Sequence, residues 1–120
     1  MAGRLAVLVS GTGTILEALY SAGIPIALVG ADRTCRGLTI ASERDTPSEM
    51  WDRAPFGGFS SSFDRERYSQ SVAASLLAHD IDIIAMAGFG TVLAPSFFET
   101  FNGRVLNTHP SLLPDFKGWH

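Results

Sequence analysis

Arg4-Leu5-Ala6-Val7-Leu8-Val9-Ser10-Gly11-Thr12-Gly13-Thr14 is the stretch that decides how this chain folds. Leu5 to Val9 is continuously apolar, too short for a core helix and without polar alternation, so it reads as a strand buried on both faces, as in parallel sheets. The run stops at a glycine-rich turn, and a helix is expected at once. Thr14 is placed to cap it, Ile15, Leu16, Leu19 and Tyr20 form a stripe of helical spacing, and Gly23 stands where a left-handed residue ends a helix. Strand, tight turn and helix are the first part of a strand–helix–strand unit.

The pattern repeats outward from there. Pro25 opens a second apolar run, Ile26 to Gly30, and a weaker helix is expected over about 36–44. Residues 45–62 carry Pro47, Pro55, Gly57, Gly58 and the serines at 60–62, which predicts mostly loop with a short edge strand near Ala54 to Phe59. Asp64 is placed to cap a helix whose Tyr68, Val72, Ser75, Leu76 and His79 fall near one face. Ile81 to Ala87 reads as a strand, Ala94 to Phe101 as a short helix and Val105 to Asn107 as a last strand, followed by a proline-rich loop. Such alternation predicts an α/β fold, a doubly wound, mostly parallel Rossmann-like sheet of strand order 3-2-1-4-5. It is taken as one unit over 1–120, with no internal repeat or linker. Ligands of such sheets lie beyond the carboxyl ends of the strands where the order reverses. That brings together Ser10–Thr14, Gly88–Leu93 and Asn107–Pro110.

With 120 residues, 46% hydrophobic and 18% charged, the chain has material for one core and not for two. A net charge of −3 gives no positive field for nucleic acid or an anionic membrane, so a bound anion must be held locally. The run from Ile83 to Phe89 is far shorter than the ~20 residues that span a bilayer, and no signal peptide opens the chain, so a cytoplasmic protein is expected. Cys35 is the only cysteine; it reads as an ordinary small side chain, and no structural metal or disulfide is expected.

Gly11-Thr12-Gly13-Thr14 feeds a helix, so unpaired backbone N–H groups and the positive end of the helix dipole face one small space. A phosphate fits there, and a tight turn without ligand is the other reading. No P-loop lysine is present, and Leu16 replaces the third glycine of a dinucleotide fingerprint, although Asp32 lies where that pattern wants a ribose-binding acid. Asn107 and His109 are two apart and point to one side of an extended backbone, which Pro110 helps to maintain. An amide donor beside an imidazole suits stabilisation of an oxyanion with proton transfer; polar residues ending a strand are the alternative. His79 at a helix end reads as structural, and Arg65 and Arg67 as charges on a solvated helix start. Trp51 and Trp119 fall in loops, where local packing and ligand cover are not distinguished.

Taken together, Val7-Leu8-Val9-Ser10-Gly11-Thr12-Gly13-Thr14, Ala87-Gly88-Phe89 and Leu106-Asn107-Thr108-His109-Pro110-Ser111-Leu112-Leu113-Pro114, with Gly118 beyond, resemble the phosphoribosylglycinamide formyltransferases of purine biosynthesis. The resemblance implies the N-terminal portion of a folate-dependent formyltransferase fold. It implies transfer of a formyl group from 10-formyltetrahydrofolate to the amine of glycinamide ribonucleotide, without a metal. Asn107 and His109 would be catalytic. Gly11, Gly13, Thr14, Ile15 and Pro110 would hold the phosphate-bearing substrate, and Arg65, Gly90, Thr91, Val92, Leu93 and Asn107 the folate. Partners would be these two small molecules, with a homodimer left open. The family often has Asn at the place of Ile15 and Met-Arg at the place of Gly90-Thr91. A non-catalytic nucleotide- or phosphate-binding module and a formyltransferase acting on another amine are the competing readings.

In the family a catalytic aspartate follows the histidine by a few dozen residues, whereas this sequence ends at His120. Little or no turnover is therefore expected from these 120 residues alone, along with exposed apolar sheet surface that favours self-association. A formyl transfer rate near that of a full-length relative would contradict the first expectation, and a monodisperse monomer at high concentration the second.

Overall fold

A computed structural model describes residues 3–107. Five strands, β1 (Leu5–Val9), β2 (Leu28–Ala31), β3 (Ser48–Met50), β4 (Ile83–Met86) and β5 (Val105–Asn107), form one sheet in the order β3-β2-β1-β4-β5. Every pairing in it is parallel, as the sequence predicts. Helices α1 (Thr14–Ser21), α2 (Arg36–Glu43), α3 (Arg65–Ala78) and α4 (Pro95–Phe101) occupy the connections.

The apolar runs are continuous because each strand feeds two cores. Ala6, Leu8, Leu28, Ile84 and Met86 pack on one face with Tyr68, Val72 and Leu76 of α3 and Phe97 and Phe101 of α4. Val7, Val9, Val29, Ala31 and Ala85 pack on the other with Leu16 of α1 and Ile40 and Ala41 of α2. Alternate side chains of a strand point to opposite faces, so a strand covered on both sides has no position left for a polar residue. The caps follow sequence logic at α3, where the Asp64 carboxylate accepts from the Arg67 N–H at 3.1 Å. Gly23 ends α1 with φ +77°.

Two local expectations are corrected. The third strand is Ser48–Met50, not a strand near Ala54 to Phe59, where the chain instead makes one 3-10 turn at Ala54–Phe56. Pro55 has no N–H to offer a ladder, and Gly57 and Gly58 adopt φ of +105° and +61°, so the backbone turns back on itself. Arg53 fills the bend, donating from Nε to the Gly58 carbonyl at 2.9 Å and stacking on Phe59 and Phe63. The cap of α1 is Gly13 rather than Thr14, which is the first helical residue.

Trp51, in the loop that follows β3, is buried, so of the two roles left open for it local packing is the one seen. The far edge of its indole lies against Gly30 of β2, where an added Cβ would come within 2.1 Å of the ring. Gly30→Ala should therefore destabilise the fold by about 1–3 kcal/mol, the usual cost of overpacking, and change Trp51 fluorescence. Urea denaturation checks this; unchanged stability would show that the indole is free to move away.

Candidate functional site

Sheet register fixes what stands at the carboxyl edge. Val9 pairs with Ala31, Leu8 with Met86 and Met86 with Asn107, so the segments leaving β1, β2, β4 and β5 emerge side by side. The turn after β1 enters α1 through Gly13, whose φ of +77° belongs to the left-handed region. A Cβ there would also lie 2.6 Å from Cδ1 of Ile40. The Glu17 N–H makes the first helical bond, to the Gly13 carbonyl at 2.8 Å, so the amides of Thr14, Ile15 and Leu16 come before the ladder. No side chain caps this end. The hydroxyls of Thr12 and Thr14 share a hydrogen bond of 3.0 Å, and Gly11 is exposed with open space about its Cα. Of the substrate-binding residues expected from the sequence, Gly11, Gly13, Thr14 and Ile15 thus sit together on one small turn, with Gly11 and Thr14 exposed and Gly13 buried beneath them.

Directly beside them is a carboxylate with no exposed side-chain surface. Asp32, one residue beyond β2, accepts from Ser10 Oγ at 2.7 Å, from Thr91 Oγ1 at 2.6 Å and N at 3.2 Å, and from Arg33 Nε at 3.1 Å. Burial works to raise its pKa, but the bonds from Thr91, Arg33 and Ser10, together with the Arg33 charge, outweigh burial and hold it below its ordinary value. Both oxygens are taken by the protein, so the ribose-binding role that the dinucleotide pattern offers Asp32 is not available to it. Ser10 Oγ also accepts the Gly90 N–H at 2.6 Å. The same carboxylate adds its charge to the burial that raises the pKa of the Tyr68 phenol, which donates to the Trp51 carbonyl at 2.7 Å.

The segment after β4 is held at several points. Thr91 and Leu93 turn inward and are buried, whereas Gly90 and Val92 face outward. Thr91 Oγ1 accepts from Arg53 Nη1 at 3.0 Å, and Arg65 Nη1 donates to the Val92 carbonyl. Arg65 is thus not merely a solvated charge at the start of α3, and whatever Thr91 and Leu93 contribute to a ligand must come from their backbone. Asn107 is exposed at the end of β5. His109 and Pro110 lie outside the described residues, as do Trp119 and His120. His79 meets the structural role expected of it, with Nε2 3.2 Å from Glu49 Oε2. A cleft of about 280 Å³ opens on the β2–β3 side, lined in part by Arg33, Met50, Asp52, Arg53 and Phe59. Among the described residues no cluster of His, Cys, Asp or Glu suits a metal ion, and no helix is long and apolar enough to cross a membrane.

Residues 3–120 match the sequence pattern described as Formyl transferase. The chain belongs to the formyl transferase family. Among curated proteins it is 38% identical, over 98% of its length, to a phosphoribosylglycinamide formyltransferase of Mycobacterium tuberculosis. It is 34% identical, over 96% of its length, to a trifunctional purine biosynthetic protein of Gallus gallus, covering 12% of that protein. Its fold superposes on the crystal structure of a phosphoribosylglycinamide formyltransferase from Brucella melitensis with a TM-score of 0.85 at 31% identity, covering all of this chain and 63% of that one. The chain spans about half the length of the mycobacterial relative, 54%.

Sequence reasoning missed the clamp of Ser10, Asp32, Arg53 and Thr91. A partial signal was there: Ser10 and Asp32 each follow directly on an apolar run, and once Val9 is paired with Ala31 they are the next residues along the two strands. Because the folded pKa of Asp32 is depressed, its stabilising contribution is complete above the ordinary value of 3.8 and is lost as pH falls through the folded value. Asp32→Asn should cost on the order of 2 kcal/mol at neutral pH, as for hydrogen bonds to a charged group. In urea denaturation the gap between wild type and variant should hold down to about pH 5 and close below about pH 4. A gap independent of pH would contradict the assignment.

Proposed function

We propose that the protein acts in transfer of a formyl group from 10-formyltetrahydrofolate to the amine of glycinamide ribonucleotide, with the acceptor's phosphate on the Ser10–Thr14 turn and the donor along Gly88–Leu93. One observation carries the reading. In a chain matched almost throughout by the formyl transferase pattern, an anion-accepting helix start and the segment after β4 are joined by the Ser10–Gly90 bond of 2.6 Å. The fold alone would not distinguish this from other doubly wound proteins.

The phosphate would be held by the amides of Thr14, Ile15 and Leu16 with the Thr14 hydroxyl, a neutral cradle aided by the helix dipole. That agrees with a chain of net charge −3, which has no general attraction for anions. Asn107 on β5 is two strands from β1, about 10 Å at the usual strand spacing, a separation on the scale of a phosphoribosyl group with a short amide arm. The donor fits the outward backbone of Gly90 and Val92 and the guanidinium of Arg65 beside them. When bound, 10-formyltetrahydrofolate supplies the formyl carbon that the amine attacks. The Asn107 amide would donate to the carbonyl oxygen as it gains charge, a contribution worth about 10²–10³ in rate for a well-placed donor. His109 would carry the proton released by the attacking amine toward the departing nitrogen. The same reading gives a cytoplasmic enzyme with these two small-molecule partners, without a metal, and with a homodimer left open. The nucleotide-module reading loses its ribose acid, because Asp32 is bonded internally.

Gly11 offers the cleanest test, since a side chain there meets nothing within 4 Å. Calorimetric titration with glycinamide ribonucleotide should show saturable binding by wild type and Gly11→Ala. Binding by Gly11→Asp, which sets a carboxylate at the cradle, should be at least tenfold weaker with an unchanged melting temperature. Equal affinity in all three proteins would move the phosphate elsewhere.

A further inference from the structure

We propose that Asp32 is a positioning residue that sets the donor-side segment Gly88–Leu93 against the acceptor-side turn Ser10–Thr14, so that the two substrates meet in one register. The proposal rests on the functional reading above and adds to it a residue that touches neither substrate.

Its basis is where the hydrogen bonds of Asp32 go. The residue stands at the end of β2, yet three of the hydrogen bonds it accepts come from other segments, one from Ser10, 22 residues earlier, and two from Thr91, 59 residues later. Neither segment is part of a strand ladder; the first begins after Val9, and the second just past the last bond between β4 and β1, from the Ala87 N–H to the Leu8 carbonyl at 2.8 Å. Ladder hydrogen bonds fix the strands but leave such segments free to pivot about the strand ends. Ser10 Oγ closes the triangle by donating to Asp32 and accepting from the Gly90 N–H. Thr91 Oγ1 is used equally fully, donating to Asp32 and accepting from Arg53.

A buried carboxylate is a poor choice for stability alone, because apolar side chains of similar volume often serve a core as well or better. What it adds is direction. Its oxygens accept along defined lines from both segments, and an amide at this position would present one acceptor and one donor to partners that all donate. Along Gly90–Leu93 inward and outward residues alternate, so anchoring Thr91 inward decides which backbone groups Gly90 and Val92 present at the surface. Arg65 on the Val92 carbonyl fixes the far end of the same segment. Loss of Asp32 should therefore release the donor side at its middle and leave the phosphate turn seated on α1, where Gly13 is locked against Ile40.

The test compares wild type with Asp32→Asn, Thr91→Val, Thr91→Ser and Val72→Ala. Val72, fully buried between α3 and the sheet, reports destabilisation away from the site. Each protein is titrated with glycinamide ribonucleotide and with 10-formylfolic acid, an oxidation-stable relative of the donor, and its melting temperature is recorded. Asp32→Asn and Thr91→Val should each weaken 10-formylfolic acid binding at least tenfold and change ribonucleotide binding less than threefold. Thr91→Ser, which keeps the hydroxyl, should bind like wild type, and Val72→Ala should lose melting temperature without losing donor affinity. If Asp32→Asn does not fold, Thr91→Val against Thr91→Ser carries the comparison. If wild type binds both ligands and the clamp variants lose no more donor affinity than Val72→Ala, the positioning role is overturned and the functional reading stands. Binding of neither ligand by wild type would overturn both.

Discussion

β1 is hydrogen-bonded to β2 on one side and to β4 on the other, and this double pairing is the constraint on which the site depends. The chain leaves β1 toward the face covered by α1 and α2, and leaves β4 toward the face covered by α3 and α4. Two neighbouring parallel strands that send their continuations to opposite faces must open a crevice between them. The Ser10–Thr14 turn forms one wall and the Gly88–Leu93 segment the other. The sheet provides the gap, and what remains is to fix its width.

That task falls to side chains beyond the strand ends. Ser10, Asp32 and Thr91 cross the gap with short hydrogen bonds, and Arg53 and Arg65 brace the outer side from the loop that precedes α3 and from α3 itself. The bend at 53–58, the stacking of Arg53 between Phe59 and Phe63 and the burial of Trp51 over Gly30 all place Arg53 within reach of Thr91. An irregular loop without helical or strand periodicity therefore shapes the site as firmly as the sheet does. Exposed Val92 and Leu106 lie at the β4–β5 side of the molecule.

Much of the architecture was legible because burial on both faces leaves an unmistakable trace. The runs at Leu5–Val9, Leu28–Ala31 and Ile83–Met86 exclude polar residues, and their alternation with helices points to the doubly wound order that is seen. Ser48–Glu49–Met50 left no such trace, since an edge strand of three residues is mostly exposed and carries no pattern. The glycine turn and the Asn107–His109 spacing pointed to a candidate site, of which the turn and Asn107 fall among the described residues. Asp32 was noticed for a role that its bonds exclude, because spacing from a glycine motif reports position along the chain and not which groups a carboxylate meets across the sheet. Thr91 was placed only on the folate side, by resemblance, and Arg53 not at all, as their meeting depends on the fold of the loop between β3 and α3.

The central claim is that the crevice between the β1 and β4 continuations receives a phosphate-bearing acceptor at the start of α1. Amide chemical shifts of the labelled protein during titration with glycinamide ribonucleotide test it most directly. The account predicts that the largest changes fall on Gly13, Thr14, Ile15 and Leu16, with smaller ones on Gly88 and Gly90, and that inorganic phosphate reproduces the first group alone. Changes concentrated on Arg33, Asp52 and Phe59, or none that saturate, would contradict it.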